Sequence, residues 1–148
     1  MRVLIDYRSA LRSRSGVGEY THELVASLAR RFPPGPPGAD ARVLDLTVFS
    51  SSWKDRLQVS SDLEGVVTVD RRVPVALLNF LWHRLGWPSA EWLAGAPFDV
   101  THSLHPLVMP ASRAAQVITV HDLNFLKAPE RTVREIHRDY PALARKHA

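Results

Sequence analysis

Short apolar runs alternate along the chain with segments whose apolar positions recur every third or fourth residue. The first run, Val3-Leu4-Ile5 within residues 2–7, is continuous and not alternating, as a strand covered on both faces requires. A polar loop of residues 8–15 leads to Gly16-Val17-Gly18. From there Val17, Tyr20, Leu24, Leu28 and Phe32 repeat at helical spacing and predict a helix with that face buried. Glu19 and Glu23 toward its start and Arg30 and Arg31 at its end complement the helix dipole. The segment Pro33-Pro34-Gly35-Pro36-Pro37-Gly38 stops the helix and forms a stiff surface connection.

Further strands are predicted at residues 43–49, 66–69, 98–102 and 116–120, with a short helix and turns expected over residues 50–63. Leu77, Leu78, Leu81 and Leu85, together with Trp82, Trp87 and Trp92, give an apolar helical stretch interrupted at Pro88. Ser89 is suited to cap a second short helix through Ala94. Residues 130–147 have Val133, Ile136, Tyr140 and Leu143 along one face of a polar helix, with Pro141 opposing its continuity. Strands alternating with helices predict an α/β fold. The expectation is a Rossmann-like open parallel sheet of about five strands with helices on both faces, in one domain over residues 1–148.

In a parallel sheet all strands end on the same edge, and that edge is where open α/β sheets bind ligands. Strand one runs into Asp6-Tyr7-Arg8, the fourth into Thr101-His102-Ser103-Leu104-His105, and the fifth into Val120-His121-Asp122. Histidine, carboxylate and guanidinium groups are thus expected in one cleft. The Gly16-Val17-Gly18 turn would add helix N-terminal amides, a seat for phosphate or carboxylate. Each element also has a plainer role. The glycine turn lacks the third glycine of the dinucleotide fingerprint and serves equally as a helix entry. Arg8, Arg12 and Arg14 fit a solvated loop as well as a hold on an anionic acceptor. His102, His105 and His121 suggest a metal only weakly, since no spacing fixes their geometry.

Composition narrows the classes. The 19 Lys+Arg against 15 Asp+Glu give a net charge of +4, which suits phosphates or acidic headgroups and is too small to imply nucleic acid. The absence of cysteine excludes disulfides, thiolate metal sites and cysteine nucleophiles. No run approaches the roughly 18 apolar residues of a membrane span, and the apolar start is too short for a signal peptide. A cytoplasmic protein is expected. The arginines and the Trp82 to Trp92 stretch also suit a peripheral contact at the inner face of a membrane, and core packing accounts for the tryptophans equally well.

Two groups of segments resemble bacterial family-4 glycosyltransferases, the retaining sugar transferases of GT-B fold. One is Arg2-Val-Leu-Ile-Asp6 with Gly16-Val-Gly-Glu-Tyr-Thr-His-Glu-Leu24. The other is Phe98-Asp-Val-Thr-His102-Ser with Val117-Ile-Thr-Val-His121-Asp-Leu-Asn-Phe125 and Pro129-Glu130. The resemblance implies the N-terminal, acceptor-side half of a two-domain enzyme that transfers a hexose from a nucleotide-sugar to a glycan, lipid or small-molecule acceptor. His121 would touch the donor sugar near the anomeric centre and Asp122 would adjoin the same pocket. Gly16 and Gly18, with Val17 between them, would approach the donor diphosphate or the acceptor. Tyr7, Arg8, His102, Ser103 and His105 complete the expected substrate-binding set. The family generally needs no metal, so the nucleotide-sugar is a co-substrate and no cofactor is implied.

The family's C-terminal nucleotide-sugar domain, with its two glutamates separated by seven residues, lies outside this sequence. The chain alone is therefore expected to show no transfer, because little in it stabilises a departing diphosphate. A noncatalytic α/β binding or interaction module is the alternative. A nucleotide-dependent oxidoreductase half is a weaker third reading, since no acidic residue ends the second strand, where Phe49-Ser50 stand.

Overall fold

A computed structural model describes residues 1–11, 16–33, 43–58 and 60–122, together with Pro141 and Arg145. Five parallel strands form one sheet in the order β3-β2-β1-β4-β5: β1 (Arg2–Asp6), β2 (Asp45–Ser51), β3 (Val67–Arg71), β4 (Val100–Ser103) and β5 (Ala115–Ile118). The expected α/β Rossmann-like parallel sheet is present. β1 lies at its centre, pairing Ile5 with Val48 on one side and with His102 on the other.

The burial of β1 follows from its sequence. Val3 and Ile5 enter one apolar cluster and Leu4 enters the other, so the uninterrupted run serves two cores. Helix α1 (Val17–Arg31) covers the first face. Helices α2 (Val75–Leu85) and α3 (Ala90–Ala94) cover the second, through Leu78, Trp82, Ala90 and Leu93. The division follows from connection handedness. The chain moves outward from β1 to β2 and returns across the sheet from β3 to β4, and right-handed crossovers in opposite directions put their helices on opposite faces. The same reversal creates a switch point between β1 and β4, where the loops leaving the two strands diverge.

Three expectations change in detail. The buried face of α1 is Gly18, Thr21, His22, Val25 and Ala26, turned by about one residue (roughly 100°) from the stripe of large apolar side chains. Tyr20 is exposed and Leu24 and Leu28 only flank the core. The reason is that Thr21 and His22 are buried with their polar atoms bonded, Thr21 to the Val17 carbonyl and His22 to Tyr7. A count of apolar positions cannot register such residues as core. Among the described residues of 50–63 there is no α-helix. β2 runs on to Ser51, and a single 3₁₀ turn, Ser61–Leu63, drops Leu63 into the core under α1. Of the tryptophans, Trp82 is buried and donates its indole N–H to the Pro88 carbonyl at 2.9 Å, whereas Trp87 and Trp92 are exposed and in contact with each other. Ser89 caps α3 as expected, accepting from the Trp92 N–H. The expected helix over residues 130–147 lies almost wholly outside the described residues, as do Arg12 and Arg14.

Candidate functional site at the switch point

The carboxyl edge of β1 ends in a charged residue with no solvent around it. Asp6 is 1% exposed. Its Oδ1 accepts from Arg8 Nε at 2.9 Å and from the Arg8 backbone N–H at 3.1 Å, and its Oδ2 accepts from Arg8 Nη2 at 2.7 Å. The two-residue spacing lets the chain turn back on itself, so the guanidinium meets the carboxylate in the bidentate fork that arginine favours. The remaining Arg8 Nη1 donates to Asn79 Oδ1 of α2 at 2.9 Å, and the guanidinium carbon sits 4.5 Å from the centroid of the Trp82 ring. His105, in the loop after β4, brings Nε2 to 3.5 Å from Asp6 Oδ2. Burial by itself would raise the Asp6 carboxyl pKa. The Arg8 charge and hydrogen bonds, with a smaller part from His105, overcome it and hold the group far below the usual carboxylate range. The result is a fixed ion pair at the switch point.

The second part of the edge is held by His121. Its Nε2 lies 3.1 Å from the Leu104 carbonyl oxygen, and its ring stands edge-on to Tyr20, with centroids 4.9 Å apart. A carbonyl only accepts, so Nε2 is the donor in this contact. Tyr20 belongs to the first turn of α1, which Gly16 enters at φ +56°, a conformation few residues other than glycine adopt. Gly16 has open space where a Cβ would stand, while Gly18 is buried in α1. The loop after β5, the loop after β4 and the α1 entry therefore meet at one place. Leu104 and its neighbour His105 link that place to the Asp6–Arg8 pair.

Not all the expected residues share this location. Tyr7 turns to the α1 face, where it is buried and its hydroxyl lies 2.7 Å from His22 Nδ1. Ser103 is buried and accepts from the Met109 N–H at 2.9 Å. Both act within the fold. His102 is half-buried inside β4 with Nε2 2.8 Å from Thr119 Oγ1, and burial lowers its pKa so that the ring is neutral at pH 7. Val17 packs against the α1-side core, and Asp122 is exposed at the end of the described segment. Among the described residues no group of three His, Asp or Glu side chains is placed to hold a metal ion.

Beside the ion pair opens a cleft of about 230 Å³ lined by Arg8, Leu11, Ser52, Asp55 and Val75. Its residues follow β1, β2 and β3, so the carboxyl edge continues into it. Ser52 Oγ accepts from the backbone N–H groups of Lys54 and Asp55, which fixes the turn that carries Asp55. Ser52, Asp55 and Asn79 were not among the sequence candidates. Asn79 did carry a signal, as the single amide in an otherwise apolar helical run. Such an edge, with a fixed ion pair, an imidazole near it and a cleft of mixed polar and aliphatic side chains, is equipped to bind a polyhydroxylated small molecule. Comparison of the chain with protein-family models, with curated proteins and with solved structures found no match.

Proposed function

We propose that the chain is the acceptor-side domain of a retaining glycosyltransferase that uses a nucleotide-sugar donor. The observation that carries this reading is the convergence of His121, the α1 entry and the Asp6–Arg8–His105 cluster on one sheet edge at the switch point. Asp6, the α1 entry and His121 lie in segments that resemble the family, and Arg8 and His105 follow two of those segments closely in the chain. In this reading Nδ1 of His121 accepts a hydroxyl of the donor sugar and steadies it as positive charge develops at the anomeric centre. The Arg8–Asp6 pair sets the wall of an acceptor cleft whose Ser52 and Asp55 meet hydroxyl groups and whose Leu11 and Val75 meet the apolar face of the acceptor.

The test is the product of the complete reading frame, supplied with nucleotide-sugars and a panel of glycan and lipid acceptors. Nucleotide release is expected, and His121→Ala should lower kcat roughly 100-fold, the scale of one lost polar contact to the transition state, with unchanged circular dichroism. Near-normal turnover in that variant removes His121 from the mechanism. A complete product that releases no nucleotide with any donor overturns the assignment in favour of a binding module.

A further inference from the structure

Helix α2 is apolar nearly all the way round, which a one-sided helix on a sheet does not require. Leu78 and Trp82 fill the core, yet Leu77 and Phe80 on the opposite side are 49% and 58% exposed. Leu77, Phe80 and Arg84 follow one another at helical spacing and share that outer face. The stretch continues past the helix through Leu85 to Trp87, which meets Trp92 of α3 with ring centroids 5.3 Å apart, both indoles being more than half exposed. The burial of Trp82 is thus not shared by its two neighbours in the sequence.

Arginine predominates among the charges around these side chains. Residues 71–90 contain Arg71, Arg72 and Arg84 and neither aspartate nor glutamate. Arg71 Nε donates to the Leu93 carbonyl at 2.7 Å, which fixes a cation at the end of α3. The nearest acids in sequence are engaged elsewhere. Asp70 is 2.7 Å from Arg56, and Glu91 accepts from the backbone N–H groups of Ser112, Arg113 and Ala114. Exposed aromatic and aliphatic side chains rimmed by arginine match the layered chemistry of an anionic bilayer surface. There apolar groups enter the acyl boundary, indole rings sit at headgroup depth, and guanidinium groups meet phosphates.

We infer that the outer face of α2, with Trp87 and Trp92, is a docking surface for a membrane carrying anionic phospholipid headgroups. Docking of this kind needs no crossing, and among the described residues no helix is long and apolar enough to span. The inference is independent of sugar transfer, because a chain that docks but never transfers keeps it while losing the proposal above. Vesicle flotation and tryptophan emission test it. The chain is expected to float with vesicles of equal phosphatidylcholine and phosphatidylglycerol, with a blue-shifted emission, and to stay behind with phosphatidylcholine alone. Arg72→Gln and Arg84→Gln should each weaken partitioning about fivefold, the worth of one basic residue at a charged surface. Phe80→Glu with Trp92→Glu should abolish it in a chain with unaltered circular dichroism. Equal binding to both vesicle types overturns the anionic assignment, and absence of binding to either overturns the surface. So does a concentration-dependent dimer lost in the Phe80→Glu variant, which would make a second copy of the chain the occupant.

Discussion

At the end of β1 two adjacent residues enter opposite sides of the sheet, and each begins a polar cluster of a different kind. Asp6, on the α2 side, is ionised and locked to Arg8, with Asn79, Trp82 and His105 around the pair. Tyr7, on the α1 side, places its hydroxyl 2.7 Å from His22 Nδ1, and His22 Nε2 lies 3.6 Å from Asp62 Oδ2. The first cluster is a charge pair withdrawn from water beside an open cleft. The second is a tyrosine–histidine hydrogen bond under a helix, ending at a carboxylate that is half in solvent. A buried charge is tolerable only while its partner is present, whereas a single hydrogen bond can be lost at modest cost. The two clusters should therefore differ in how steeply the fold depends on them and in how they respond to pH.

The largest effect is expected at the ion pair. Arg8→Met leaves the Asp6 carboxylate buried with its main partner gone and should cost about 3–5 kcal/mol in urea denaturation. Adding Asp6→Asn removes the stranded charge, so the double variant should lose clearly less than the sum of the singles. Strict additivity would show that the pair is not coupled and would sink the contrast with Tyr7.

Acid sharpens the same point. The folded pKa of Asp6 lies below its ordinary value of 3.8, so its stabilisation is complete above that value and is lost as pH falls through the folded one. In Arg8→Met, burial becomes the main influence and pushes the carboxyl up. That variant should regain stability on acidification from pH 7 toward pH 4, an interval over which the parent's Asp6 contribution stays constant, in the same denaturation series run against pH. Tyr7→Phe deletes one hydrogen bond and should cost only about 1 kcal/mol at pH 7. The smallest effect belongs to His102. Burial lowers its folded pKa, so the unfolded chain takes up the proton first and a slight loss of stability should begin near pH 6.5 on acidification. His102→Gln should remove that slope.

Much of this architecture could be read from residue order alone, because a strand buried on both faces and a one-sided helix leave different periodicities. The Val3-Leu4-Ile5 run, the Ser89 cap and the polar strand endings are local features and needed no tertiary knowledge. What could not be read depends on groups that meet across the sequence. Thr21 and His22 look solvent-facing until Tyr7 and the Val17 carbonyl are in place to satisfy them. Arg8 looks like a loop cation until Asn79, 71 residues later, arrives beside it. Tyr7 and Ser103 were chosen because they follow strands, but position along a strand end does not say toward which face a side chain turns. Trp82, Trp87 and Trp92 are chemically alike and lie within eleven positions of one another, so only packing separates the buried one from the exposed pair.

The Glu91 carboxylate fastens a helix to the outermost strand. Three successive amides ahead of β5 donate to one of its oxygens, at 3.0, 3.0 and 3.1 Å, and these bonds hold its pKa down to about 2 against the opposing influence of burial. Among the described residues β5 has a neighbour on one side only, so their sheet ladder anchors just half of its backbone. The starting point of that strand is thus set from α3, by an anchor that keeps its charge through any mildly acidic medium. Any pull exerted on the exposed tryptophan next to Glu91 would travel through this anchor to the margin of the sheet.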